Sequence, residues 1–332
     1  MNPRSFPAIA LILMGCSASG STGGFDGDGG PSADKGGDQG GNSAFSGDGG
    51  GARGAVGGKV LLYAHTDTTL FQLDPENLAM PLVQVGVFDC IGGAGAPAMT
   101  DLGVAKDGKL FGVSETAAYP LTVRGSTVHC DASWPLPANA KFYGLTMAPE
   151  NTVDKAEVLI AANGAGELFR IDATTGTTTQ VGTLGADSKG QAYALSGDIV
   201  FLANNGAPIG FATVRTCTRS KSGTTTCSPT DTLVEVNVSA IHPGTQSVLK
   251  GTRGPVNKGS WCTNASSPSA FGSMFGIAAF KDKVYGFSRK GDFIEINNAD
   301  GSGCLVASYG SDKFAGAGVT TVVSVVAPPP VN

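Results

Sequence analysis

The sequence predicts an all-β fold, a β-propeller of five blades closed by a C-terminal strand that completes the N-terminal blade. Six or seven blades, or tandem β-sandwiches, are the alternatives. Three observations predict it. Strand-length apolar segments recur in a fixed order along residues 58–326. Successive copies lie about 50 to 65 residues apart, near the spacing of propeller blades. The first copy lacks an inner strand, and the chain ends with one to spare.

The clearest copy occupies residues 157–185. Val158, Leu159 and Ile160 form a compact apolar run of strand length, and Asn163-Gly-Ala-Gly166 supplies a tight turn. Leu168, Phe169 and Ile171 make the next strand. Asp172-Ala-Thr-Thr-Gly176 then turns the chain, with Asp bonding its own backbone and Gly in the left-handed position. Thr177 to Val181 is β-branched and suits a more exposed strand.

Other copies follow the same order. An inner strand of aromatic or small residue, Gly or Ala, aliphatic, small residue is read at Leu102-Gly-Val-Ala105, Tyr143-Gly-Leu-Thr146, Tyr193-Ala-Leu-Ser196, Phe275-Gly-Ile-Ala278 and Ala317-Gly-Val-Thr320. Its Gly permits close backbone approach in a crowded centre. Second strands are expected at Lys109 to Val113, Val158 to Ala161, Ile199 to Leu202 and Lys283 to Phe287, with Val60 to Ala64 opening the series. Third strands alternate apolar and polar residues at Leu70-Phe-Gln-Leu-Asp74, Leu168-Phe-Arg-Ile-Asp172, Leu233-Val-Glu-Val-Asn237 and Phe293-Ile-Glu-Ile-Asn297. Tyr119 to Val123 is a weaker copy. Fourth strands are expected to end near Val87, Val128, Thr183, Leu249 and Ser308. The extra strand at Phe314 to Val323 can complete the first blade, so the ring closes without an open edge. These loose motifs resemble bacterial β-propeller repeat proteins of the broad NHL and YVTN type.

Composition narrows the function classes. The chain has 332 residues, 41% hydrophobic and 15% charged, with 50 glycines. That is enough to build a core and many turns. A net charge of -5 gives no electrostatic case for nucleic acid, because phosphate binding needs clustered Lys and Arg.

Residues 1–15 read as a signal segment: Arg4 lies in a short n-region, and Ala8 to Met14 is an apolar run too short to span a bilayer. Leu13-Met14-Gly15-Cys16 closes it and resembles the lipobox of bacterial lipoproteins. The resemblance implies cleavage before Cys16, diacylglycerol on its thiol, a palmitate-type acyl chain on its new amine, and anchoring in the cell envelope. An ordinary cleaved signal is the rival reading. Ser17 in place of Asp implies the outer membrane. Residues 16–57 carry the lipid and a Gly-, Ser- and Asp-rich tether that cannot bury enough surface to order itself. Within it Asp26-Gly-Asp28 superficially resembles a calcium loop, but Pro31 and Gly37 stand where such a loop needs Gly and Glu. Residues 327–332 form a Pro-rich tail.

Beyond Cys16 there are six cysteines, an even number in an exported chain. Position within the repeats pairs Cys217 with Cys227 across a protruding hairpin, Cys90 with Cys130, and Cys262 with Cys304. A zinc site, the rival reading, lacks a Cys-x-x-Cys pair and clustered His. The hairpin carries Arg215, Arg219 and Lys221, either as a contact finger for an anionic partner or as a solvated insertion.

Chemistry-bearing motifs are sparse. His65, His129 and His242 stand alone, and Gly286-Phe-Ser288-Arg-Lys-Gly291 misses the nucleophile-elbow spacing by one residue. No catalytic residue, metal ligand or cofactor is assigned. A propeller would place a ligand at the channel mouth, which on this reading receives His65, Asp67, Trp134, Asn163, Asn204, Asn205, Trp261 and Arg289. Trp134 and Trp261 could stack on a sugar, or pin long loops onto the blades. The expected function is a monomeric, surface- or periplasm-facing lipoprotein whose propeller is a binding or structural module for an envelope protein or glycan. It touches the membrane through its N-terminal lipid. The alternative is a propeller enzyme, a lyase, lactonase or quinoprotein-like dehydrogenase, with His65 or His129 as base.

Overall fold

The computed structural model describes residues 61–91, 97–138, 141–204, 207–219, 225–281, 283–310, 312–321 and 325–326. The signal segment, Cys16, the tether, the calcium-loop-like residues 26–28, Asn205, Lys221 and the 327–332 tail lie outside the described residues.

The chain is all-β and propeller-like. In chain order its strands are β1 (Leu62–His65), β2 (Thr69–Leu73), β3 (Val83–Phe88), β4 (Met99–Val104), β5 (Leu110–Ser114), β6 (Ala117–Arg124), β7 (Thr127–Cys130), β8 (Trp134–Pro135), β9 (Phe142–Ala148), β10 (Val158–Asn163), β11 (Glu167–Ile171), β12 (Thr178–Thr183), β13 (Tyr193–Asn204), β14 (Ala207–Arg219), β15 (Thr225–Cys227), β16 (Thr232–Val236), β17 (Leu249–Pro255), β18 (Met274–Phe280), β19 (Lys283–Ser288), β20 (Asp292–Ile296), β21 (Gly303–Ser308), β22 (Gly316–Val319) and β23 (Val325–Val326). They pair as antiparallel meanders: β22-β1-β2-β3, β4-β5-β6-β7, β9-β10-β11-β12, β13-β14-β16-β17 and β18-β19-β20-β21. The expected closure is present, since β22 pairs with β1 in the register Leu62 to Val319 and His65 to Gly316. At the outer edge β3 and β7 pair in parallel, which merges the first two meanders into one sheet.

Two-sided burial explains the unbroken apolar runs. In β10, Val158 and Ile160 pack toward β13 and β14, in a cluster with Phe201 and Val214. Leu159 and Ala161 point the other way, toward Phe111 and Phe142. In β13, Ile199 and Phe201 join the first of these clusters, while Val200 and Leu202 join Ile277 and Val284. Leu62 and Ala64 meet Phe287 and Phe314, and Tyr63 between them meets Leu102. Each meander is thus sandwiched between two others, and burial of each large side chain contributes about 1.5 to 3 kcal/mol.

The inner strands meet in a cycle, β22 to β4 to β9 to β13 to β18 and back to β22. Glycine makes each approach possible. A Cβ on Gly103 would press on the Thr146 and Met147 backbone, on Gly144 against Gly197, on Gly197 into Met274 and Phe275, on Gly276 into Gly316 and Ala317, and on Gly318 into Leu102. The Gly of the repeated inner-strand motif is therefore a contact between neighbouring strands.

One expectation is corrected. Ile199 to Leu202 is not a second strand following a separate inner strand at Tyr193 to Ser196; both belong to β13, whose register shifts between Leu195 and Ile199. Gly197-Asp198 lies between the two strands expected from the sequence, but the Asp198 carboxylate accepts the N–H of Ile199 at 2.5 Å and of Ile277 at 2.8 Å, so the chain bulges and runs on. The second strand is β14, and the fourth, β17, starts at Leu249 where the sequence suggested an end.

The three disulfides join the expected partners, with Cα atoms 5.8 Å apart for Cys90–Cys130, 4.0 Å for Cys217–Cys227 and 5.2 Å for Cys262–Cys304. The first ties the paired outer strands β3 and β7; the second staples the tip of β14 to β15.

Candidate functional site: the channel mouth and the acids beneath it

The axis between the inner strands is narrow. A cavity of ≈ 10 Å³, lined by Leu102, Thr146, Met147, Val200, Ile277 and Ala317, has room for about one water. Small-molecule sites need several hundred Å³, so this cavity is no ligand pocket. At one end Thr320 bridges to Val104, Thr321 bonds Glu157, and β23 pairs with the end of β13. Thr320, Thr321 and β23 therefore each touch a different meander at that end.

The other end is the mouth. Tyr143 and Phe275, from β9 and β18, meet edge-to-face with centroids 6.4 Å apart. The Arg289 guanidinium lies 4.9 Å from the Phe275 centroid, and its Nη1 pairs with Asp67 Oδ1 at 2.5 Å. Tyr143 Oη donates to Glu115, which also pairs with Lys141 at 2.8 Å. Burial, with help from the Glu115 charge, raises the Tyr143 hydroxyl above its ordinary pKa. The ring edges stay partly exposed, so the mouth presents two aromatics, a stacked cation and flanking carboxylates.

Directly beneath stand Asp101 and Asp198, both 0% exposed. Asp101 accepts the N–H of Leu145 at 2.5 Å and of Ala317 at 3.2 Å. Asp198 accepts those of Ile199 and Ile277, and the two carboxyl groups hydrogen-bond to each other. Burial is the largest cause pushing both up; Asp198 reaches about 8, and Asp101 lies well above the usual carboxylate range.

His65 is also fully buried. Its Nδ1 lies 2.7 Å from the Thr66 carbonyl, to which it donates, and its Nε2 has no hydrogen-bond partner. A Cβ on Gly316 would strike both that Nε2 and Asp101 Oδ1, so the two groups face one another across this glycine. Burial lowers the imidazole pKa to about 4, with the Arg289 charge adding to the effect against the Thr66 bond and Asp67. At neutral pH His65 is an uncharged ring and a weak base.

The residues expected at the mouth divide. His65, Asp67 and Arg289 come together there. Asn163 sits at the rim but caps its own turn, its Oδ1 accepting the N–H of Ala165 and Glu167. Ser114 and Ser288 do the same in their meanders. Trp134 packs against Gly176, at the end of β11 remote from Asn163, and beside Phe111. Trp261, 40% exposed, donates to Ser302 in the turn at the end of β20 remote from Arg289. Trp134 itself lies in β8, paired with Ala118 of β6. Asn204 ends β13, six residues beyond Asp198, and its side chain lies outside the described residues. His129 is a surface group paired with Asp89 at 2.6 Å.

The sequence reading missed Tyr143 and Phe275 as mouth residues, and Asp101 and Asp198 altogether. A usable signal was there: Asp101-Leu-Gly-Val and Asp198-Ile-Val-Phe each set an acid directly before a fully apolar run.

No family model matches the chain, and no curated protein matches it. Solved structures do align. A protein of unknown function from Bacteroides caccae is 11% identical at TM-score 0.41, covering 79% of this chain and 99% of its own. An auxiliary nutrient binding protein from Bacteroides thetaiotaomicron is 13% identical at TM-score 0.39, covering 74% and 53%. The structure of U3-55K is 11% identical at TM-score 0.39, covering 80% and 82%.

Proposed function

We propose that the protein is an exported lipoprotein, anchored through Cys16 in the bacterial outer membrane, whose five-bladed propeller is a binding module for an envelope protein or glycan. The cycle of inner strands, one per meander, supports the count of five. The observation that carries the binding role is the mouth: a half-exposed Tyr143–Phe275–Arg289 stack, flanked by Asp67 and Glu115, standing on a sealed axis. Aromatic faces with adjoining carboxylates and a guanidinium are suited to sugar rings and to protein side chains. The small axial cavity supports the face, and not the channel, as the place of recognition.

The test is a glycan and envelope-protein array probed with the lipid-free domain and with a Phe275→Ala, Arg289→Ala double variant. Binding lost in the variant supports the mouth. Binding that is unchanged removes it as the site. The anchor is tested separately: Cys16→Ala should move the protein from membrane to soluble fractions, and a variant that stays membrane-bound would end the lipoprotein reading.

A further inference from the structure

Asp101 opens into the axis from β4 and Asp198 from β13, two inner strands that are not neighbours in the cycle. Between them their carboxyl oxygens take N–H groups from β9, β22, β18 and β13 itself. Every inner strand is therefore tied to this one pair. Two carboxylates in hydrogen-bond contact without solvent cannot both be charged, because among the described residues no cation stands beside them. The titratable group facing them is His65 from β1, which is neutral; Asp67 and Arg289 beyond it neutralise each other, as do Asp231 and Arg215 on the far side of Met274.

We propose that Asp101 and Asp198 form a one-proton latch: a proton shared between them clasps the inner strands across the axis beneath the mouth, and its loss at alkaline pH loosens the ring. With the proton gone, two like charges stand in a dry site and the mouth gives way first.

The sign of the pH dependence follows from the raised folded-state pKa values. Between the unfolded carboxylate value near 4 and the folded value of about 8 for Asp198, the folded protein holds a proton that the unfolded chain has released. Stability therefore falls as pH rises through that window. The lowered carboxylates Asp89, Asp154, Asp172 and Asp300 act in the acid range below it. The raised amines Lys106 and Lys141 act above it. His65, held neutral in the fold, works in the opposite direction between about 4 and 6.5, so the latch is read most cleanly from pH 6.5 to 9.

The experiment is thermal unfolding of the lipid-free protein over pH 6.5 to 9, with Asp198→Asn and metal analysis of the same preparations. The wild-type midpoint should drop by about 4 °C across the range. Asp198→Asn loses an acceptor for one backbone N–H, so it starts lower at pH 6.5. Its curve should be shallower than the wild type's, because the charge and hydrogen bond of Asp198 no longer add to the burial that raises Asp101. A wild-type midpoint that is level or rises overturns the latch even if the variant fails to fold, and so does a variant with the wild-type slope. A stoichiometric divalent metal in the wild type that is absent from Asp198→Asn would also overturn it, by putting a cation where the proton is placed.

Discussion

Two acid sites hold β18 in place, and they neutralise their charge by different means. At the axis, Asp198 accepts the N–H of Ile277 and has another carboxyl group, Asp101, as its partner. Three residues earlier on the same strand, Asp231 accepts the N–H of Met274 at 2.6 Å, together with Ser196 Oγ at 2.7 Å and the Arg215 guanidinium. Both acids are 0% exposed, both start from the β13–β17 meander, and both reach across to the next. One site carries its own cation and the other depends on a proton. The backbone N–H is the common target, and what compensates the carboxylate decides how each site responds to substitution and to pH.

Removing the cation should give the largest effect. Arg215→Ala leaves Asp231 charged and unpaired in a buried site, and should lower unfolding stability by about 3 to 5 kcal/mol in urea titrations. Adding Asp231→Asn to that variant should recover part of the loss, since the stranded charge goes with it. Losses that simply add would show that the pair is not coupled. A smaller effect is expected where backbone meets backbone next to these acids. Gly276→Ala puts a Cβ into Gly316 and Ala317, one residue from the Asp198 bond, and should cost about 1 to 3 kcal/mol. The control is Gly251→Ala on β17, where a Cβ meets nothing within 4 Å and the change should stay within about 0.5 kcal/mol. Equal costs at the two glycines would break the claim that close inner-strand contact sets the ring.

Much of the fold was legible because its causes are local or repeated. Gly176 and Asp172 write their own turn, the Gly of each inner strand marks a contact that recurs around the axis, and a surplus strand at one end answers a missing one at the other. The misreading at Gly197-Asp198 has a plain cause. In sequence the pair lies between the two expected strands, and only the N–H of Ile277, 79 residues away, makes it a bulge. The mouth was half legible for the same reason. Asp67 and Arg289 belong to turns whose place in the repeat was known, whereas Tyr143 and Phe275 were read as inner-strand residues alone and meet only when the ring closes. Trp134 and Trp261 look like ligand residues in a linear sequence; Gly176 and Ser302, the groups that hold them, are remote along the chain. The buried acid pair leaves only an Asp directly before each of two apolar runs, and nothing in the linear sequence says that the two meet.

The difference between the two acid sites can be read directly from the carboxyl carbons. Carbon-13 NMR of aspartate-labelled protein, assigned with Asp101→Asn and Asp198→Asn, reports the protonation of this pair without unfolding it. The account predicts that at pH 6 the pair still holds its proton and releases it only on the alkaline side of neutral. Two carboxyl signals already at their ionised positions by pH 6, with no further change up to pH 9, would contradict it.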